Sequence, residues 1–194
     1  MEVIKIKSNL GIAGKITVRR HPAGTIEKLK ALHAEGRHAE AQELLKTGEI
    51  ATTQKNIIVD SANRGIDLLI QWIISGANGS IYHVGPSYGD IGTGQTVPTT
   101  ADTALAIPFL REPLSYAFES SFNVAQLQFF FADAVLTNGT YYEFGTFIDI
   151  PANNTPTPVV SSGQMFNHAL FSVPYVKSSG NDTTCEVDIS IANL

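Results

Sequence analysis

From Ala77 onward the chain carries no helical periodicity, and its apolar residues fall on alternate positions in short runs separated by turn formers. A period of two over half a dozen residues is the signature of a strand with one dry and one wet face. Residues 184–192 show it most cleanly, with Val187, Ile189 and Ile191 on one side and Glu186, Asp188 and Ser190 on the other. Residues 80–84, 105–110, 114–118, 122–132, 141–148 and 164–176 read the same way. Asn138-Gly139, the Pro/Asn/Thr stretch 151–158, Ser162-Gly163 and residues 179–182 supply turns between them. Within 122–132, Leu127, Phe129 and Phe131 share one face, while Phe130 stands with Gln126 and Gln128 on the other, so another element is needed to cover Phe130.

The region before Ala77 is mixed. Ile4 and Ile6, then Ile16 and Val18, alternate with polar residues and predict two strands. Ile26, Leu29 and Leu32, and after Gly36-Arg37 also Ala41, Leu44 and Leu45, recur at helical spacing and predict a helical hairpin over 25–47. Thr25 is the expected N-cap, and Gly36 and Gly48 are the expected left-handed stops. Residues 49–59 read as extended. Ile66, Leu69, Ile70 and Ile73 form the stripe of a third helix over 61–76, with Trp72 beside it, expected to pack on a sheet. The fold class is therefore mainly β with α: an antiparallel β-sandwich with one packed helix and an inserted α-helical hairpin. It is read as a single domain over 1–194, with 25–47 inserted within it.

Composition narrows the function classes. With 194 residues, 43% hydrophobic and 16% charged, the chain can bury a core. Its 13 Lys+Arg against 18 Asp+Glu give a net charge of −5 with no basic block, which disfavours nucleic acid and anionic membrane as partners. No stretch approaches the ~20 apolar residues of a membrane span, and the start of the chain does not read as a secretory signal. The single cysteine, Cys185, can form neither an internal disulfide nor a thiolate metal site, which suits a reducing compartment.

No motif for catalysis stands out. The histidines do not gather: His33 and His38 lie five apart on a broken helical segment, and His21, His83 and His168 fall in separate strands or loops, so no metal is expected. Gly92-Thr93-Gly94 is followed by Val97 where a dinucleotide fingerprint needs glycine, and no Walker lysine follows, so it reads as a tight turn entering a strand. There is no nucleophile elbow. Glu143, inside the aromatic run Tyr141-Tyr142-Glu143-Phe144, resembles a buried glycosidase acid, but no partner carboxylate is identifiable. It is read as a hydrogen-bonded or outward strand residue with Arg111 as an ion partner. Cys185 is expected to be inert. The chain is thus expected to have no catalytic residue, no cofactor and no enzymatic activity.

Several segments carry a family likeness. They are Gly48-Glu49-Ile50 with Lys55 to Asp60, Ile91-Gly92-Thr93-Gly94-Gln95-Thr96 with Pro98, Asp102-Thr103-Ala104-Leu105, Arg111-Glu112-Pro113-Leu114, Tyr142 to Phe147, Met165 to Phe171, and Lys177 before Gly180. Their order resembles a class of tailed-bacteriophage structural proteins, which have a Gly-Thr-Gly turn, an Asp-Thr-x-Leu segment, an arginine opening the next strand, a Glu-x-Gly element, and usually arginine where this chain has His168. The resemblance implies a structural component of a phage virion, a tail, neck or baseplate accessory in multiple copies. A capsid decoration protein and a carbohydrate-binding receptor module are the alternatives. The implied place is the virion, assembled in the host cytoplasm, and the implied partners are other virion proteins and copies of itself, with a host-surface glycan as a further candidate. Two segments depart from the family: residues 85–90 lengthen the approach to the turn, and the hairpin 25–47 replaces a short connection. Its Ile26, Leu29, Leu32, Leu44 and Leu45 are the candidate interaction residues.

Overall fold

A computed structural model describes residues 10–59, 85–148 and 163–193. In chain order it contains β1 (Leu10–Pro22), α1 (Thr25–Ala34), α2 (His38–Lys46), β2 (Glu49–Ile58), β3 (Tyr88–Gly92), β4 (Pro108–Ser121), β5 (Val124–Phe131), β6 (Gly139–Ile148), β7 (Gln164–Lys177) and β8 (Asn181–Asn193). The third predicted helix, the strands around Ile4 and 80–84, and Trp72 lie outside the described residues.

The strands form a closed antiparallel barrel in the order β1-β2-β7-β6-β3-β4-β5-β8, with β8 returning to β1. This corrects the expected sandwich: the mainly β class with a helical hairpin holds, but the sheet closes on itself and joins its two edges. Closure comes from strands that change partners along their length. β4 pairs with β3 from Pro108 to Pro113 and with β5 from Leu114 to Ser121. The two strands expected there, 105–110 and 114–118, run together as one, and Pro113 between them has no N–H to continue a ladder. In the fold Pro113 marks the corner at which one long strand passes from one partner to the next. β2 does the same, leaving β1 after Asn56 to pair with β7 through Ile57 and Ile58.

The inward faces fill the barrel. Ile16 and Val18 of β1, Phe129 and Phe131 of β5, Phe144 of β6, and Cys185 and Val187 of β8 are completely buried in one cluster. Removing each large apolar side chain from water stabilises the fold by roughly 1.5–3 kcal/mol, and the alternation in the sequence sends these residues to the same side of the wall. Burial among them pushes the Cys185 thiol well above its ordinary range, so it stays protonated and unreactive.

Two further apolar clusters lie outside the barrel wall. Phe130 points outward from β5 and is covered by Ile26, Leu29, Ala41 and Leu45 of the helical hairpin. Val59, Leu105, Phe147 and Met165 form the other, beneath the segment joining β3 to β4.

The hairpin differs from expectation at its ends. Gly24, at φ 85°, is the N-cap of α1, and the Thr25 hydroxyl donates to the Pro22 carbonyl instead of capping. The first-turn donor Ile26 N–H, which is buried, is satisfied by Asp182 Oδ2 of the neighbouring strand β8 at 2.9 Å, while Asp182 Oδ1 accepts from Asp133 N–H. Gly36 does close α1 in the left-handed region, at φ 75°. Gly48 is required for a different reason: a β-carbon there would strike the His21 ring.

Candidate functional site

The residues that carry chemistry in the sequence converge on the outer face of β6 and β7. Glu143 alternates outward from the interior-facing Phe144, yet it is fully buried because residues 93–107 fold over it. Its Oε1 accepts hydrogen bonds from Gly94 N–H at 2.9 Å and Ile107 N–H at 2.8 Å, and its Oε2 accepts from Ala106 N–H at 3.0 Å. One carboxylate thus gathers both ends of the loop, which Thr93 N–H closes by donating to the Ile107 carbonyl.

His168 of β7 sits directly beside it. The register opposes His168 to Gly145 of β6, and this places its ring over the same outer wall. Nε2 lies 3.0 Å from Glu143 Oε2, and Nδ1 lies 2.6 Å from Asp102 Oδ2. Asp102 is held by its own turn, accepting from both the N–H and the hydroxyl of Thr99. The cluster is therefore a carboxylate–imidazole–carboxylate bridge, with Glu143 fixing the base of the loop and Asp102 its middle. Leu105 completes the attachment by entering the apolar cluster with Phe147 and Met165.

The electrostatics follow from these bonds. Burial pushes the Glu143 carboxyl up, but the hydrogen bonds from His168 and from the Ile107, Ala106 and Gly94 amides outweigh it and hold the group below its ordinary range. Asp102 is likewise pushed up by burial and brought down further by Thr99 and His168. His168 is pushed down by burial and raised above its ordinary value by the two carboxylates, so the ring favours the imidazolium that donates in both directions.

Several sequence readings change here. Glu143 does not pair with Arg111. That guanidinium makes a two-pronged bond to Asp90 of β3, Nε to Oδ1 at 2.6 Å and Nη2 to Oδ2 at 3.0 Å, and lies over the Phe147 and Tyr88 rings. The second carboxylate that the sequence did not reveal is Asp102, brought near through His168. A glycosidase acid needs a raised pKa, whereas Glu143 is lowered and accepts four bonds. Gly92-Thr93-Gly94 leaves a strand instead of entering one. Its glycines are needed for close approach, since a β-carbon on Gly92 would stand 2.6 Å from Glu143 Oε1 and one on Gly94 would stand 2.6 Å from Ala106 Cβ. His168 and Asp102 are 66 residues apart, so no spacing in the sequence joins them; the paired glycines opposite a lone strand glutamate are the available signal.

The five candidate interaction residues divide. Ile26, Leu29 and Leu45 are buried against Phe130, so the barrel itself is what they lean on. Leu32 and Leu44 are partly buried and line a shallow groove between the helices with Lys28, Glu35, Arg37 and Glu40. His33 and His38, expected to diverge, are in contact across the α1–α2 turn. Among the described residues, no group of three or more His, Cys, Asp or Glu side chains is arranged to hold a metal ion, and no helix is long and apolar enough to cross a membrane.

No protein family, characterised protein or solved structure matches the chain.

Proposed function

We propose that the chain is a structural component of a tailed-bacteriophage particle, a tail, neck or baseplate accessory present in multiple copies, and that it performs no catalysis. The observation that carries this reading is the convergence of the resembling segments on one fastening. Gly92 and Gly94, Asp102, Glu143 and His168 come from four separate stretches of sequence, and their bonds to one another hold residues 93–107 on the barrel wall. Groups that look catalytic in isolation are spent on fixing a loop, which favours a framework role over chemistry.

The fixed loop also has something to present. Val97 and Ile107 are 71% and 57% exposed, and Phe109 just beyond is 44% exposed. Apolar side chains held outward on a rigid support can dock with little ordering cost, which suits contacts repeated around a symmetric particle.

The test is location. A labelled antibody against this chain should decorate one region of purified particles in electron microscopy, and the barrel should fit repeated density in a reconstruction. Particles that lack the chain, or purified protein that degrades peptidoglycan or capsule and loses that activity in Glu143→Gln without unfolding, would overturn the reading.

A further inference from the structure

His33 in the last turn of α1 and His38 at the start of α2 meet across Gly36. Their Nδ1 nitrogens are 3.1 Å apart and their ring centres 5.4 Å apart, the spacing of two imidazoles that meet tip to tip. One proton bridges two nitrogens so placed. His33 Nε2 is buried without a partner, so the neutral His33 carries its proton on Nδ1 and donates it to His38 Nδ1. Both rings stack on Tyr116 of β4, with centroids 3.9 and 4.8 Å away, and Tyr116 stacks in turn on Phe118. Stacked rings thus hold the tip of the hairpin to the wall.

An added proton has no good place in this arrangement. On His33 Nε2 it would be buried with no acceptor, and on His38 Nδ1 it would face the N–H of His33. The surrounding charges are engaged elsewhere. Arg37 in the turn bonds Glu35 and Glu40, and Lys30 of α1 acts on Glu112 of β4. Arg111 of β4 bonds Asp90, Glu119 is an exposed residue of the same strand, and β5 contributes the uncharged Gln128 and Phe130. Among the described residues, neither ring has a carboxylate within hydrogen-bonding distance.

We propose that the His33–His38 pair is an acid-operated release for the helical hairpin: neutral, it fastens the tip of the hairpin to Tyr116, and protonation frees it. The direction is fixed by linkage. Burial, then the neighbouring His38, holds His33 below its ordinary 6.5, so the unfastened form binds the proton first. Attachment is complete above that value and weakens as pH falls below it. The inference is independent of the particle assignment.

The experiment is amide hydrogen exchange on the full chain at pH 7.5 and pH 5.0, corrected for intrinsic exchange. Residues 25–46 should lose protection by tenfold or more at pH 5.0, while residues 93–107 keep theirs. His21, packed beneath Gly48 at the base of the hairpin and bonded to Thr184, is shifted in the same direction, so His33→Phe separates the two: it keeps a stacked ring and should abolish the loss. Equal protection at both pH values in the wild type, or the same loss in His33→Phe, overturns the proposal. Side-chain 15N spectra of the wild-type protein decide it if the variant does not fold. A bare His33 Nε2 and a His33 titration below 6.5 support the release, and His33 titrating at or above 6.5 refutes it.

Discussion

Gly94 donates its main-chain N–H to Glu143 Oε1 at 2.9 Å, and its α-carbon lies so close to the far side of the loop that a β-carbon would stand 2.7 Å from the Ile107 nitrogen. The glycine and the carboxylate are two halves of one fastening, since the carboxylate reaches the backbone only because no side chain intervenes. Gly94→Ala should force them apart and lower stability by about 1–3 kcal/mol, the usual cost of overpacking. Thermal unfolding by calorimetry, with faster amide exchange in residues 93–107, is the measure; an unchanged melting temperature and loop would disprove the contact.

The bridge through His168 has its own pH window. Because the folded pKa of His168 is raised, its contribution is complete below the ordinary 6.5 and is lost as pH rises through the raised value. Glu143 and Asp102 are lowered, so theirs is complete above the ordinary 4.5 and 3.8 and is lost as pH falls through the lowered values. The fastening is therefore strongest between those limits. His168→Gln should be less stable than the wild type near pH 5.5, with the gap narrowing by pH 9. His168→Arg, which keeps a cation at every pH, should hold the loop through the alkaline range. A wild-type minus His168→Gln difference in melting temperature that does not change with pH would contradict the assigned charge state.

Ile189 of β8 lies in the barrel interior, opposite Gly14 of β1 and Ala125 of β5. Ile189→Ala should cost about 2–5 kcal/mol, read as a shift in the denaturant midpoint. A midpoint equal to that of the wild type would mean that β8 does not pack as the closing strand.

Replacing residues 25–47 with an Asn-Gly turn should leave a folded barrel, because Arg20 and Glu49 already pair at the ends of β1 and β2. It should also uncover Phe130, now 1% exposed. The shortened protein is expected to keep its far-ultraviolet dichroism and bind a hydrophobic dye that the full chain does not bind. A further Phe130→Ser substitution should abolish that binding. Loss of the β signal would show that the hairpin is needed for the barrel to form.

Alternation along each strand determines which side of the wall its residues occupy. Val187 and Ile189 go inside, Phe130 goes outside and needs a cover, and the cover is the hairpin that helical spacing marked out at 25–47. These are local properties, set by a period of two or 3.6 and readable without knowing what lies opposite. Closure of the sheet was not local: alternation is the same in a sandwich and a barrel, and only the passage of β4 from β3 to β5, and of β2 from β1 to β7, joins the edges. The same holds for the site. Glu143 was visible as a carboxylate in an aromatic strand, but its lowered pKa comes from Gly94, Ala106, Ile107 and His168, which register and loop closure alone bring to it. Asp102 and His168, like His33 and His38, meet because the chain returns to the same patch of surface, and hydrogen bonding acts over a few ångströms of space whatever the separation in sequence.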